Sequence, residues 1–332
     1  MSRTRSTNSS SWASVASVAQ ARAAERIKLR RRRTVKRYLT VLAFMSPWVI
    51  GFLWFYVYPM LASLYFSFTK YYGVLQQPQW AGLLNYRHML GDQFFWKALK
   101  NTVWIVAIGT PLNILFALFL AWALTLPKRG RGLYRTIYFL PTMVPAVAAS
   151  LSFLYLLSYT GPVDTILKFF HITPPNWFQD PSWSKPGLLL LGLWGVGEAM
   201  IIFLAALLDV PAQLYEAADI EGASAWQKFR RITLPMISPV LFFSAIISII
   251  YGFQYFTEAY VVSLGAGGAG SLGYPNGSTL FYTIWLFQQG FEQFHLGYAS
   301  AMAWVLFAIV MACTLVIIKT SKRWVFYQGG FR

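Results

Sequence analysis

Residues that could take part in catalysis or metal binding are few and scattered along this sequence. Asp219 and Glu221 stand two positions apart, a spacing that some membrane glycosyltransferases use to hold a metal ion. No second acidic cluster supports the pair, so a solvated helix face is the favoured interpretation. The histidines at positions 88, 171 and 295 are far apart, and Cys313 is the single cysteine. We therefore predict no catalytic site, metal site or disulfide.

Nucleotide hydrolysis has no sequence signature either. The pattern GxxxxGK followed by Ser or Thr, whose backbone cradles phosphates, does not occur. The glycine-rich run at 265–270 is not followed by a lysine, and we interpret it as a flexible loop. The chain is therefore predicted not to be an enzyme.

The elements that must position any functional residues are apolar segments. Hydrophobic residues make up 57% of the 332 positions and charged residues only 12%, too apolar for an ordinary soluble domain. About 20 apolar residues suffice for a helix to cross a bilayer. The sequence predicts an all-α integral membrane protein with six spans, at 41–64, 102–124, 136–158, 187–208, 239–262 and 296–318.

The net charge of +17 is explained by membrane orientation. The two termini and the loops 125–135 and 209–238 carry 22 of the 28 Lys and Arg residues, and the alternate loops carry 6. Because positive residues are retained in the cytoplasm, both termini are predicted to be cytoplasmic, with no nucleic-acid partner. We expect a basic, disordered tail over 1–38, a six-helix membrane domain over 39–323 and a cytoplasmic tail over 324–332.

An amphipathic cytoplasmic loop, residues 209–236, interrupts the apolar segments. Gly222 is placed to end one short helix, and Ser224 and Gln227 have the spacing of a capping box for a second. Pro235 is expected to end or bend that second helix. A helix pair resting on lipid headgroups and a docking element for a cytoplasmic partner both remain open on these grounds.

This loop resembles the EAA loop of binding-protein-dependent ABC importer permeases. The matching residues are Glu216-Ala217-Ala218, Gly222, Ile232 and Leu234-Pro235. The stretches GLLNYRHML with Phe95, Ala98 and Asn101-Thr102, RGLYRTIYFLP at 131–141 and HLGYASAMAW at 295–304 are similar to the carbohydrate-uptake branch of that family. The resemblance extends from about residue 40 to the C-terminus.

Several expectations follow from the resemblance. It implies a type I importer permease fold that pairs with a second homologous permease, two ATPase subunits, which bind ATP and Mg²⁺, and an extracytoplasmic binding protein. The loop would dock on the ATPase through Glu216, Ala217, Ala218, Gly222, Trp226, Phe229, Ile232, Leu234 and Pro235. The chain would lie in the cytoplasmic membrane of a bacterium or archaeon.

Two polar faces in the spans flanking this loop are candidate substrate contacts, because polar residues inside spans tend to line pathways. They comprise Leu191, Trp194, Gly195 and Glu198 in the fourth span, and Ser248, Tyr251, Gly252, Tyr255 and Glu258 in the fifth. Simple helix packing is the alternative interpretation. No Lys or Arg occurs in the assigned spans, which favours a neutral sugar over glycerol-3-phosphate. A permease for glycerol-3-phosphate or another small polar solute is the alternative within the family. An ion-coupled secondary transporter, with Glu198 and Glu258 as ion ligands, is the rival from another class.

Overall fold

The computed structural model describes residues 36–73, 76–126, 130–267 and 272–326. Most of the predicted tails at 1–38 and 324–332 lies outside these residues, as does the second half of the glycine-rich run at 265–270. The chain divides into two compact units, residues 1–63 and 64–332. The described part is predominantly helical, with a two-stranded antiparallel sheet of β1 (Thr69–Lys70) and β2 (Gln79–Trp80).

Helices account for most of the described chain. In order they are α1 (Lys36–Ser67), α2 (Leu84–Gly91), α3 (Gln93–Ala123), α4 (Arg131–Phe139), α5 (Ala146–Leu156), α6 (Pro162–Phe169), α7 (Pro181–Trp194), α8 (Gly197–Leu208), α9 (Ala212–Ile220), α10 (Ala225–Lys228), α11 (Leu234–Phe253), α12 (Thr257–Gly267), α13 (Tyr282–Phe287) and α14 (Leu296–Ser321). A 3₁₀ turn follows α4 at Leu140–Met143, and π-helical turns occur at Leu53–Val57, Phe229–Thr233 and Gln288–Glu292.

The described residues agree with the predicted number of spans, although two spans are bent. Four helical stretches are long and apolar enough to cross a membrane, and up to six spans result if each bent pair counts as one. The first and last predicted spans, 41–64 and 296–318, lie within α1 and α14. The second span is predicted at 102–124, but α3 begins nine residues earlier, at Gln93, because the Asp92 side chain caps it by accepting from Phe94 N–H.

The third predicted span, 136–158, is not one helix. Its two parts meet at an angle of 99°. Val144 is extended, as expected for a residue that precedes proline, and Pro145 forms the N-cap of α5. The apolar composition that predicts this span does not show the break, which lies at prolines 141 and 145.

The fourth predicted span, 187–208, is also divided. It starts earlier, at Pro181, where Asp180 caps α7 by accepting from Ser182 N–H, and it bends by 51° between α7 and α8. Gly197, at the start of α8, lies against the end of α4, where an added Cβ would be 2.3 Å from Tyr138 O. Only glycine allows the end of α4 to pack this closely against the start of α8.

The fifth predicted span, 239–262, is continuous with the loop 209–236. A π-helical turn at Phe229–Thr233 joins α10 to α11, and the helical path runs through Pro235. Leu234 N–H bonds to Phe229 O, five residues back, so the wider turn accommodates the proline ring. The expectation that Pro235 ends the short helix was therefore wrong. The predicted span instead breaks further on, between α11 and α12.

Two hydrophobic clusters form the core of the unit 64–332. One surrounds the N-terminal half of α3 and includes Phe95, Phe281, Tyr282 and Met302. The other surrounds its C-terminal half and brings Met200 and Phe203 of α8 onto Ile237 of α11. The long helix α3 is thus common to both clusters.

The residues that carry the family resemblance outside the loop hold one end of this unit together. Asn85 donates to Ser67 O and Thr69 O at 2.8 and 2.9 Å, and Gly297 lies so close to Thr69 O that an added Cβ would be 2.2 Å away. Asn101 donates to Gly277 O and Leu280 O at 2.8 and 2.9 Å. Asn101 therefore anchors the segment 272–281 on α3, and Asn85 anchors the end of α1 and β1 on α2, with the start of α14 packed closely against Thr69.

Candidate coupling surface and solute pocket

The loop 209–236 folds as a helical hairpin, which we call the coupling hairpin. Gly222 has a φ of +75° and follows α9, with Ala223 N–H bonded to Ala218 O at 2.9 Å. A left-handed glycine with this bond is the Schellman termination of a helix. Ser224 and Gln227 then form a capping box at the start of α10. The predicted pair of short helices, the glycine turn and the capping box are all confirmed.

An ion pair and a hydrogen bond connect the two arms of the hairpin. Lys228 Nζ lies 2.5 Å from Asp219 Oδ1, and the Tyr215 and Thr233 hydroxyls are 2.8 Å apart. Asp219 is therefore paired with a cation, which agrees with the interpretation of Asp219 and Glu221 as a solvated face. Among the described residues, no group of three His, Cys, Asp or Glu side chains could hold a metal ion.

The nine residues predicted to contact an ATPase are divided between an outward and an inward face. Five of them are exposed in this chain, namely Glu216, Ala217, Gly222, Trp226 and Leu234. Four are partly buried, namely Ala218, Phe229, Ile232 and Pro235. Phe229 and Ile232 pack against the second hydrophobic cluster, so they fasten the hairpin to the chain's own helices.

Trp226 differs from its neighbours because it is 67% exposed. Its ring stacks on Phe229 at 5.7 Å, and both border an apolar groove of about 420 Å³ against α3. The other side of the groove consists of Leu115, Leu118, Phe119 and Trp122. Trp226 is thus supported from beneath while its outer face is available for contact.

The fifth-span candidates come together in a polar pocket of about 260 Å³ between α3, α7 and α11. Ser248, Tyr251, Gly252 and Tyr255 all line it, and Tyr251 is 68% exposed. Glu258 does not line the pocket, because α11 ends at Phe253 and Glu258 is in the first turn of α12. Four of the five fifth-span candidates therefore share one site.

The fourth-span candidates do not share that site, and their common helical face does not exist. Leu191 is buried, and α7 ends at Trp194, so Glu198 lies on α8 beyond the bend. The Trp194 ring packs against Phe153 at 5.7 Å in a separate apolar cavity of about 700 Å³. The inference of one continuous face was wrong because helical periodicity is interrupted at Gly195.

Sequence reasoning missed the residues that complete the polar pocket. Gly192, one residue beyond Leu191, faces the Asn113 side chain, and Thr110 and Asn113 come from α3. Asn113 is a polar side chain within the second predicted span. The rule that polar residues within spans mark pathways would have selected it had the rule been applied there.

Comparison with known proteins identifies the family. Residues 113–325 match the family "Binding-protein-dependent transport system inner membrane component". The chain belongs to this family. It is 41% identical over 290 residues to the probable ABC transporter permease protein YesP of Bacillus subtilis, covering 86% of this chain and 92% of that protein. It is 35% identical to the lactose transport system permease protein LacF of Rhizobium radiobacter, covering 88% and 98%.

Solved structures agree with the fold. The bacterial alginate ABC transporter in complex with a periplasmic protein bound to an alginate pentasaccharide includes a chain that superposes with a TM-score of 0.70. The match is 23% identical and covers 88% of this chain and 96% of that chain. This family member is therefore an integral membrane permease with the ABC importer fold, and it is a transport subunit.

Proposed function

We propose that this permease is a subunit of an ATP-driven importer for a sugar or oligosaccharide. It works with a second homologous permease, two ATPase subunits that bind ATP and Mg²⁺, and an extracytoplasmic binding protein. The chain lies in the cytoplasmic membrane of a bacterium or archaeon, with both termini in the cytoplasm. The 22 to 6 distribution of Lys and Arg supports this orientation.

The coupling hairpin carries the proposal. Its inner residues Phe229 and Ile232 fasten it to the bundle, while Glu216 and Trp226 remain exposed. A hairpin embedded in lipid headgroups would be expected to place basic side chains around an apolar face. Here the exposed acidic residues Glu216 and Glu221 balance the exposed basic residues Arg230 and Arg231, and Asp219 is paired with Lys228. The hairpin therefore lacks the net positive charge that anionic headgroups attract. A protein groove on an ATPase is therefore the better partner.

The polar pocket supplies the solute path. Tyr251 and Tyr255 offer ring faces for sugar C–H groups, and Asn113, Thr110 and Ser248 offer hydrogen-bonding groups. The pocket lies between α3, α7 and α11, and α11 continues from the coupling hairpin. A movement of the hairpin together with a bound ATPase would thus be transmitted to the pocket through α11.

The named substrates of relatives support a carbohydrate. LacF is a lactose permease, and the AraP protein of Bacillus subtilis, 31% identical over 84% of this chain, is an arabino-oligosaccharide permease. SmoG of Agrobacterium fabrum, 31% identical over 86% of this chain, is a sulfoquinovosyl glycerol permease. The solutes named for these three permeases are all glycosides, although they differ in charge and size.

Reconstitution tests the proposal. The affinity-purified complex, placed in liposomes with its binding protein, is expected to accumulate a sugar only when ATP is supplied on the ATPase side. Uptake should continue when ionophores abolish ion gradients. Loss of uptake under ionophores, with no ATP requirement, would identify an ion-coupled secondary transporter. Copurification without ATPase subunits would also contradict the proposal.

A further inference from the structure

Lys185 lies on the same face of α7 as the residues that line the polar pocket. Lys185, Leu188, Leu189 and Gly192 follow the spacing i, i+3, i+4, i+7, and the last three line the pocket. Lys185 is therefore one turn beyond the pocket, toward the start of α7. The distribution of Lys and Arg places that end outside the cell. A solute approaching from outside would pass Lys185 before reaching Gly192.

A second lysine stands at the same end on α3. Lys97 donates to Asn276 O at 2.7 Å, in the same segment that contacts Ser184, the neighbour of Lys185. The segment that accepts this bond is also held by Asn101 and by Ser184, whose hydroxyl is 2.7 Å from that of Ser278. The two cations are thus placed by a common set of contacts across α3, α7 and the segment 272–281.

The surroundings of Lys185 leave its charge without an anion. Its Nζ lies 5.3 Å from the centre of the Trp104 ring, and its side chain is partly buried. Neither Lys97 nor Lys185 forms an ion pair with any acidic residue that the structure describes. Two like charges held by the same contacts, one of them partly desolvated, would gain stability from an anion that approached both.

These lysines change the expectation of a neutral substrate. The expectation depended on predicted spans that began at residues 102 and 187, whereas α3 and α7 begin at Gln93 and Pro181. The capped extensions bring Lys97 and Lys185 into the helices that form the pocket. Glu258, the acidic residue near Tyr255, is in α12 and does not line the pocket.

We propose that the Lys97–Lys185 pair selects an anionic saccharide, a sugar acid or sugar ester bearing carboxylate, sulfate or phosphate, as the solute of this permease. This inference rests on the proposed function as a sugar importer. The anion would bridge the two ammonium groups at the approach, and the sugar ring would then meet Tyr251 and Asn113 in the pocket. The permease would therefore recognise the anionic group of the solute before its sugar ring.

Four probes test the charge requirement on the whole reconstituted complex with its binding protein. They are digalacturonate, its uncharged dimethyl ester, glucose 6-sulfate and maltose. Digalacturonate and its ester differ in charge but little in shape. We expect uptake and stimulated ATP hydrolysis with digalacturonate or glucose 6-sulfate, and at least about tenfold weaker responses to the ester and maltose.

Matched variants assign the effect to the lysines. Lys185→Met retains the length of the side chain on Trp104 and should raise the half-saturating concentration of the acidic probe at least about tenfold. Lys185→Arg should retain most of the affinity. Lys100→Met, an exposed lysine of the same helix as Lys97 that lines no part of the pocket, should change nothing.

The outcomes separate this inference from the function on which it rests. Import of maltose or the ester with no response to either acidic probe would overturn the anionic substrate and leave the sugar importer standing. An equal loss of charged and neutral probes in Lys185→Met would show that the lysine is structural, which also overturns the proposal. Failure of all four probes would count against the sugar importer itself.

Discussion

Lys228 forms an ion pair with Asp219 across the turn at Gly222, with 2.5 Å between Nζ and Oδ1. The pair is partly exposed, so it contributes little to stability, at most about 1 kcal/mol. Its effect is geometric, because it links the last turn of α9 to the only turn of α10. Together with the hydrogen bond between the Tyr215 and Thr233 hydroxyls, the pair restrains the angle between the two arms of the hairpin.

Gly222→Val should release the ATPase without unfolding the permease. A β-branched residue at a φ of +75° costs on the order of 1–2 kcal/mol of local strain, which opening of the turn would relieve. Gly82→Val is a matched control, since Gly82 has a φ of +56° and, like Gly222, no atom within 4 Å of an added Cβ. ATPase recovered per permease in mild detergent should fall only for Gly222→Val. Equal recovery for both variants would contradict docking through the hairpin.

Trp226 and Phe229 should respond differently to truncation. Trp226→Ala removes an exposed ring and should lower ATPase recovery while leaving the thermal stability of the isolated permease unchanged. Phe229→Ala removes a ring packed on the second hydrophobic cluster and should destabilise the permease by roughly 1–3 kcal/mol. Melting curves together with pull-down yields distinguish the two effects. A destabilised Trp226→Ala, or an unaffected Phe229→Ala, would reverse the assignment of inner and outer residues.

The sequence was sufficient to predict the structure where a local rule determines it. Gly222, Ser224 and Gln227 specify their turn and cap within a few residues, and the apolar segments specify the spans. It was insufficient where distant chain segments meet. Gly197 looks like any glycine in an apolar run until Tyr138 O is found against it. Likewise, periodicity alone could not show that Gly192 faces Asn113 across two helices while Trp194 packs on Phe153.

Substitutions at two glycines, Gly192 within α7 and Gly195 at its C-cap, test the position of the proposed solute pocket. Gly192→Leu places a side chain in the pocket without backbone strain, since an added Cβ lies 3.7 Å from Asn113. It should reduce the rate of uptake at least about tenfold, with the complex intact. Gly195→Leu has similar room, 3.7 Å from Gly192 O, but does not line the pocket. It should transport nearly normally. Stronger inhibition by Gly195→Leu would favour the face predicted from sequence over the observed pocket.

Cysteine labelling tests the orientation in the membrane. In a Cys313→Ala background, Ser182→Cys should react with a membrane-impermeant maleimide in intact cells, because α7 starts at the outer end of the proposed topology. Gln213→Cys, exposed on α9, should react only after the cells are opened. Both positions are exposed, so a difference reports sidedness rather than burial. The opposite labelling pattern would place the coupling hairpin outside and remove the ATPase as its partner.

Asp92 should be more important for stability than its role as a helix cap suggests. Its Oδ1 accepts from Phe94 N–H at 2.8 Å, and its Oδ2 accepts from Trp285 Nε1 at 2.9 Å and Tyr298 Oη at 2.8 Å. Both aromatic residues are buried, so removing the acceptor leaves donors without partners.

Asp180→Ala provides the comparison, because Asp180 caps α7 in the same way through Ser182 N–H at 2.8 Å. Each substitution should lose about 1 kcal/mol from the cap. Asp92→Ala should lose roughly 2–4 kcal/mol more from the two unsatisfied donors. Thermal melts in detergent measure the difference, and Trp285→Phe in the Asp92→Ala background should recover part of it by removing one donor. Equal melting temperatures for the two alanine variants would show that the Trp285 and Tyr298 bonds contribute nothing beyond the cap.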